Sequence, residues 1–341
     1  MHRHWPYWAN LMRSENQIKN SKSDPGWRAA NPFDLSDNGA YRTWRSAKLA
    51  AYPASMSGQV VEIDDLANPS AAERAALSCM CRKSNMAIYA SRFIPANSER
   101  MRNDLQTFAK TLGLIRTEGH RSAANDGIVA IEIASDGPRK GYIPYTDRPL
   151  SWHTDGYYNA PKDRIGAFLL HCVRDATQGG ENAFLDPEIA YIRMRDENPD
   201  FIAAFMHHEA MTIPANEEDN GKVRAESVGP VFWVSAQTGT LQMRYTARGR
   251  NIIWRNTPAT QAAVKFLSNL LINGDPLIFR HKLVPGQGLI CNNVLHMRTG
   301  FENAPELTEN SERLIYRVRY LDRISGVRSA HHHEEDYGST E

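Results

Sequence analysis

Between Gly127 and Leu321 the chain is cut into short β-prone runs: GIVAIEIAS (127–135), DRIGAFLLHCV (163–173), GPVFWVS (229–235), TLQMRYT (240–246), PLIFRHKL (276–283), GLICNN (288–293) and RLIYRVRYL (313–321). They are rich in β-branched and aromatic residues, and Gly, Pro, Asn or Asp bound most of them, so each reads as a strand. Their irregular spacing, with few helices between them, argues against the strand–helix alternation of a doubly wound sheet. No G-x-G-x-x-G follows a strand and no G-x-x-x-x-G-K-[ST] occurs, so a nucleotide-cradling fold has no support. The reading that remains is mainly β with flanking helices: a double-stranded β-helix, or jelly roll, with helices packed outside.

Helices are expected at 41–51, 69–83, 97–113, 187–206 and 258–274. In 97–113, Met101, Leu105, Phe108 and Leu112 recur at three-to-four spacing before Gly113. Segment 187–206 reads as one broken helix. In 258–274, Thr257 can cap, Pro258 suits the first turn and Gly274 ends the run. GQVVEID (58–64) and NMAIYAS (85–91) read as strands. The chain then divides into an irregular N-terminal arm (1–40), one jelly-roll domain with helical insertions (41–323) and a flexible C-terminal tail (324–341). A chain of 341 residues can bury a sizeable core. Lys plus Arg (40) nearly balances Asp plus Glu (39), so no strong field draws nucleic acid or an anionic membrane, and a small-molecule partner is expected. No apolar run approaches the roughly 20 residues that a membrane span needs. MHRHWPYWANLMRSENQ lacks the apolar stretch of a secretory signal, so the cytoplasm is the expected compartment. The four cysteines read as reduced thiols. Oligomeric state is left open, a homo-oligomer included.

The chemistry-bearing residues begin in PLSWHTDGYYN (149–159). A strand puts residues i and i+2 on one face, so His153 and Asp155 would point the same way and could share a metal ion. A third ligand candidate, His296, lies in CNNVLHMRTGF (291–301), directly after a strand-like run. Two histidines and one carboxylate make the facial triad of non-haem Fe(II) oxygenases, but the same set also serves hydrolytic zinc. SERLIYRVRY then carries Arg313 and Arg317, an even number of residues apart on an expected strand. Two guanidiniums facing into a barrel are costly unless they meet anions, and a planar fork suits a carboxylate as no ammonium does. A dicarboxylate between metal and arginines would satisfy them.

These residues resemble the Fe(II)- and 2-oxoglutarate-dependent dioxygenases related to taurine dioxygenase (the TauD/TfdA family), over roughly Gln59 to Arg323. WHTDGYYN is similar to the family's W-H-[ST]-D segment. TQGGENAFLD (177–186) resembles its T-G-G-[DE]-T-x-[WF] segment. VLHMRTGF with RLIYRVRY resembles the distal histidine and the R-x-x-x-R strand. The resemblance implies that His153, Asp155 and His296 bind Fe(II), and that Arg313 and Arg317 hold the two carboxylates of 2-oxoglutarate, Arg313 the distal one. Asn182 stands where the family has a threonine, and its amide can donate a comparable hydrogen bond. Gly179 and Gly180 would let the backbone turn closely before that strand. The implied reaction is oxidative decarboxylation of 2-oxoglutarate to succinate and CO2, coupled through O2 to hydroxylation of an unactivated C–H bond. An intact Asp155 favours hydroxylation over halogenation.

The substrate is expected to be a small, polar, charged metabolite. Tyr157, Tyr158, Trp152, Arg244 and Arg248 are the candidate substrate residues, with Tyr142, Tyr145 and Tyr245 nearby; Arg244 and Arg248 could instead pair with Glu217, Glu218 or Asp219. His171, inside an apolar run, reads as a core histidine. His207 and His208 would alternate faces if in a strand, and HHHEED (331–336) reads as a solvated tail. Arg298 reads equally as support for the metal site or as a rim residue. Two other functions stay open: a 2-oxoglutarate and metal sensor without turnover, and a zinc hydrolase on a cupin-like barrel, which leaves Arg313 and Arg317 unexplained.

Overall fold

The computed structural model describes residues 31–55, 60–93, 95, 97–119, 126–217, 223–249, 252–303 and 312–324. Most of the expected arm, the 331–336 histidine run, Glu218 and Asp219 lie outside them. The architecture is mixed α/β with several sheets. Helices α1 (Asn38–Ala51), α2 (Ala71–Ser84), α3 (Ser98–Thr111), α4 (Pro187–Glu197), α5 (Pro199–Met206) and α6 (Pro258–Asn273) surround two main sheets. In chain order the strands of those sheets are β1 (Val60–Ile63), β2 (Met86–Ser91), β3 (Val129–Ile131), β4 (Leu150–His153), β5 (Ala167–Arg174), β6 (Asn182–Leu185), β7 (Phe279–His281), β8 (Gln287–Cys291), β9 (Leu295–Arg298) and β10 (Leu314–Tyr320). The six-stranded sheet runs β1-β2-β8-β5-β10-β3, and the four-stranded sheet runs β7-β6-β9-β4. All pairings are antiparallel except β1 with β2, which α2 joins as a crossover.

The six-stranded sheet is buried on both faces, which is why its strands read as near-continuous apolar runs. The period of two divides them. Ala87, Tyr89, Ala167, Leu169, Ile290, Tyr316 and Val318 pack with Leu77 of α2 and Leu105 and Phe108 of α3. The alternate residues Met86, Ile88, Phe168, Leu170, Leu289 and Ile315 join the larger cluster with Phe184 and Leu295 of the four-stranded sheet. On β10 this second face also carries Arg317 and Arg319, so charge enters the space between the sheets by strand alternation alone.

Local signals set the helix ends. Ser70 and Glu73 form a capping box at the start of α2, and Asn85 closes it in the left-handed region with φ 57. Asp37 caps α1 by accepting from the Ala40 N–H, so that helix starts before Tyr41. The expected break in 187–206 falls at Asn198, whose side chain accepts from the Asp200 N–H while Pro199 opens α5. Thr257 and Gly274 bound α6 as their types suggest. GPVFWVS is not one strand. Ser227–Gly229 pairs with Met211–Ile213 and Phe232–Val234 pairs with Leu241–Met243, with Pro230, which has no N–H to give, between them. Among the described residues no helix is long and apolar enough to cross a membrane. All four cysteines are free.

Candidate active site

The central rung of the four-stranded sheet sets His153 of β4 directly opposite His296 of β9, and His296 opposite Phe184 of β6. Opposed residues share a face, so the two imidazoles lie side by side, ring centroids 4.2 Å apart. Phe168 of the facing sheet closes over His296 at 4.7 Å. His153 Nδ1 lies 2.8 Å from the Ser151 carbonyl, and His296 Nδ1 lies 3.0 Å from that of Val294. A carbonyl can only accept, so in both rings Nδ1 carries the proton and Nε2 presents its lone pair.

Asp155 reaches the same point by a different route from the one its spacing suggests. Strand β4 ends at His153, and Asp155 sits in the turn that follows. Asn293 fixes it there: its Oδ1 accepts the Asp155 N–H at 2.8 Å, and its Nδ2 donates to the carbonyls of Asp155 and Ile165, both at 3.0 Å. Asn293 adopts φ 52, a left-handed conformation that asparagine tolerates better than most residues. Asp155 Oδ1 lies 3.7 Å from His153 Nε2. Ligand atoms of His153, Asp155 and His296 all fall within 4.8 Å of one another. Asp155 Oδ2 is buried with no hydrogen-bond partner. Two bare imidazole nitrogens and an orphaned carboxylate oxygen converging on one point fit a divalent cation.

The electrostatics suit ligation. Burial, then the neighbouring His296, push the His153 pKa down to about 3; burial also lowers His296. Both rings are therefore neutral. Burial by itself would raise Asp155, but the guanidiniums of Arg317 and then Arg319 outweigh it and hold the carboxyl well below its usual range. Arg317 Nη1 is 3.5 Å from Asp155 Oδ1, and its Nε is buried with no hydrogen bond.

Arg313 stands just before β10, buried, its guanidinium 5.0 Å from the Phe301 ring. No described carboxylate comes within ion-pair distance of it, and burial pushes its pKa down to about 10. Arg298 shares the ring at 4.8 Å and donates to the carbonyls of Thr146 at 2.8 Å and Arg148 at 2.6 Å. Burial, then Arg313, push it down to about 10 as well. Asn182 is buried on β6 across from Arg298, on the face that carries Phe184 and His296. Gly179 and Gly180 precede it with φ 67 and 72, and a Cβ on Gly179 would collide with the Gly300 carbonyl.

The candidate substrate residues divide. Tyr157 stands edge-on to His153 at 6.5 Å and to Tyr158 at 5.1 Å. The Tyr158 hydroxyl accepts from Arg319 Nη1 at 3.2 Å, and Arg319 pairs with Glu118, whose other oxygen accepts from Asn159 Nδ2 at 2.5 Å. Trp152 neighbours His153 on the strand, faces the opposite way and is buried in the core. Arg244 is spent on structure: it donates to Ser227 Oγ at 2.9 Å, to the Gly229 carbonyl at 3.2 Å and to the Met211 carbonyl. Arg248 is half-buried, and among the described residues only its backbone N–H bonds, to Thr246 Oγ1 at 3.3 Å. Tyr145 is buried and Tyr142 exposed. His171 lies on the helix-facing side of β5, its Nδ1 3.0 Å from the Tyr89 hydroxyl, well apart from the imidazole pair. His207 and His208 occupy a turn after α5 instead of a strand, and their rings stack at 4.3 Å on the surface. Asn293, Arg319 and Glu118 were missed from sequence. The one available signal was an asparagine just before the distal histidine segment.

The profile of the taurine catabolism dioxygenase TauD, TfdA family matches residues 96–319. A uridine-5'-phosphate dioxygenase of an Amycolatopsis species is 27% identical over 177 residues, 48% of this chain and 60% of that protein. Dioxygenase str8 of Strobilurus tenacellus is 28% identical over 166 residues, 48% of this chain and 38% of that protein. The chain thus spans less than two thirds of the length of either relative. Asparagine oxygenase, solved with Fe(II), 2S,3S-3-hydroxyasparagine and succinate, superposes with a TM-score of 0.53 at 14% identity, covering 84% of this chain and 85% of that one. The non-haem iron oxygenase OrfP, solved with Fe, succinate and (3S)-hydroxy-L-Arg, gives 0.55 at 14% identity, covering 75% and 82%. A taurine dioxygenase from Burkholderia xenovorans gives 0.51 at 17% identity, covering 76% and 86%. At such identities the structures show a shared fold. The profile match takes in well over half of the chain, which therefore belongs to the TauD/TfdA family of 2-oxoglutarate-dependent dioxygenases, oxidoreductases that use Fe(II) and 2-oxoglutarate.

Proposed function

We propose that this chain hydroxylates an unactivated C–H bond of a small, polar, charged metabolite, with release of succinate and CO2. The observation that carries the reading is the convergence of His153, Asp155 and His296 on one point beside a recess holding Arg313 and Arg317, two buried guanidiniums for which Asp155 is the sole described carboxylate in ion-pair range. We read the six- and four-stranded sheets as the two walls of a double-stranded β-helix, and residues 41–323 as one domain built on it.

In this reading His153 Nε2, Asp155 and His296 Nε2 would hold Fe(II). The metal supplies, when bound, the redox chemistry that couples decarboxylation of 2-oxoglutarate to transfer of an oxygen atom from O2. The chain's own residues do the rest. Arg313 forks onto the distal carboxylate of the cosubstrate with the Asn182 amide as an additional donor. Arg317 faces the carboxylate at the iron end. Phe168, Phe184 and Phe301 exclude water around these charges and so strengthen each interaction. Tyr157, edge-on to His153, forms the wall against which the substrate is oriented, with Tyr158 behind it. Asn293 keeps the Asp155 turn in place, so Asp155 would serve as a carboxylate ligand, which favours hydroxylation over halogenation.

The relatives support the substrate class: the names they carry involve uridine-5'-phosphate, taurine, asparagine and arginine, all small charged or zwitterionic molecules. The test is anaerobic loading with Fe(II) and 2-oxoglutarate, followed by O2. A visible metal-to-ligand charge-transfer band that forms with 2-oxoglutarate, and succinate release stimulated by a charged metabolite, are expected. A band without succinate under any substrate would leave a sensor; no band, with zinc retained on purification, would leave a hydrolase.

A further inference from the structure

A second cluster of guanidiniums gathers around Arg164, in the 155–165 loop, and shares no residue with the arginines assigned to the cosubstrate. Arg164 is half-buried and stands over Trp233, its guanidinium carbon 4.1 Å from the ring centroid. It makes no hydrogen bond and no ion pair with any described residue. Arg244 approaches the same point beside the Ser227–Gly229 strand. A Cβ built on Gly229 would stand 3.4 Å from Arg164 Nη2 and 3.6 Å from Arg244 Nη1, so two like charges converge on this glycine. Burial, then Arg164, lower the Arg244 pKa to about 10. Arg224 completes the group, 5.4 Å from the Tyr158 ring and donating to the Pro214 carbonyl at 2.9 Å. None of the three has a described carboxylate within ion-pair distance.

The three differ in what they have left to offer. Arg244 has committed both terminal nitrogens to Ser227, Gly229 and Met211, while its buried Nε has no partner. Arg224 has one nitrogen committed. Arg164 has committed none to any described residue, yet it is not free to wander, because the cation–π contact holds it against the indole. A fork already ordered by stacking loses little freedom when an anion docks, and the neighbouring cations reward any negative charge placed there.

The cluster is also tied to the reaction centre. Ile165, next in the chain, packs where a Cβ on Gly156 would stand, one residue from Asp155, and its carbonyl is held by Asn293. Ser227 Oγ donates to the Asn159 carbonyl at 2.9 Å, which joins the arginine-lined strand to the turn carrying Tyr157 and Tyr158.

We propose that Arg164, stacked on Trp233 and backed by Arg224 and Arg244, seats an oxyanion group of the substrate (a phosphate, sulfonate or carboxylate) at the end away from the carbon that is oxidised. The proposal rests on the dioxygenase reading above but addresses the sign of the substrate's charge, which that reading leaves open. It narrows the substrate class to metabolites carrying an anionic group.

The test uses the protein loaded anaerobically with Fe(II) and saturating 2-oxoglutarate, titrated calorimetrically with phenyl phosphate, benzenesulfonate, benzoate and phenol. The charge-transfer band reports cosubstrate occupancy throughout. At least one anion is expected to bind tighter than phenol without bleaching the band, and Arg164→Gln is expected to weaken it about tenfold or more, the size of one lost charge-assisted bond. Arg164→Lys, which keeps charge but loses the fork, should fall between the two and serves if the glutamine variant fails to fold. The preferred anion identifies the group. Equal binding of phenol, unchanged binding in both Arg164 variants, or bleaching of the band as the anion enters the cosubstrate recess would each overturn the proposal. Failure of the band to form at all would strike the dioxygenase reading instead.

Discussion

Asn293 offers the sharpest test of how the candidate metal site is held. Its side chain makes three buried hydrogen bonds: it accepts from the Asp155 N–H at 2.8 Å and donates to the Asp155 and Ile165 carbonyls at 3.0 Å each. At about 1 kcal/mol apiece these sum to about 3 kcal/mol, and Asn293→Ala would also leave one N–H and two carbonyls buried without partners. Alanine at φ 52 adds up to about 1 kcal/mol of left-handed backbone cost. The expected loss is about 3–4 kcal/mol of unfolding free energy, read as a lower urea midpoint with the slope unchanged.

The loss should not be stability alone. Asp155 is no longer in strand β4, so Asn293 is what aims it, and Asn293→Ala should weaken metal binding about tenfold or more, in the range typical of supporting residues around a metal site. Asn292→Ala supplies the comparison. Asn292 accepts from the Ile324 N–H at 3.0 Å and donates to Asn85 Oδ1 at 3.2 Å, away from Asp155. It should cost about 1–2 kcal/mol and leave metal affinity untouched. An Asn293→Ala protein that unfolds within about 0.5 kcal/mol of the parent, or that binds Fe(II) as tightly as Asn292→Ala does, refutes the account.

Three further outcomes are expected. Arg317→Lys keeps the charge but loses the planar fork, so 2-oxoglutarate should bind about tenfold more weakly or worse by titration of the charge-transfer band; unchanged affinity removes Arg317 from the cosubstrate. Burial lowers His171 from 6.5 to about 4, so between those values the unfolded chain binds the extra proton. Stability should then fall by about 3 kcal/mol as pH drops from 6.5 to 4, and denaturant midpoints of His171→Gln should lack that part of the slope. Arg244→Met leaves the carbonyls of Met211 and Gly229 without a donor; about 2–4 kcal/mol of stability should be lost with 2-oxoglutarate affinity unchanged, whereas loss of that affinity would put Arg244 in the cosubstrate site.

What the sequence disclosed depended on whether the physical cause was local. RLIYRVRYL reads as a strand because β-branched and aromatic residues recur on both faces, and its period of two correctly sets Arg317 toward the inter-sheet space. The imidazole pair was legible through motif spacing, yet the strand argument for Asp155 was only half right, since β4 stops at His153. Nothing local reveals that an asparagine 138 residues away, in a left-handed conformation, replaces the missing strand register. Arg244 misled for the same reason. A basic strand end looks ready for a ligand, and only the folded chain brings the carbonyls of Met211 and Gly229 into its fork. GPVFWVS looked continuous because composition outweighed the one missing N–H of Pro230.

The distribution of counter-charges separates arginines met by a described carboxylate at ion-pair distance from those that are not. Arg319 is answered by Glu118 and the Tyr158 hydroxyl, and Arg317 by Asp155. Arg298 donates to two carbonyls and Arg313 lies on a ring face; Asp147 and Asp175 act on them only from beyond ion-pair distance. A buried guanidinium without a counterion costs several kcal/mol unless something anionic returns it, and two of them flanking Phe301 double that demand. An exposed surface could dissipate it into water, but Arg298 and Arg313 are 5% and 7% exposed. Their unmet charge lies on the side of the site away from Asp155, so a diacid entering with one end at the metal would find its other carboxylate drawn to the Arg313 end. The pairing pattern thus supports the proposed placement of Arg313 at the distal carboxylate without appeal to any motif.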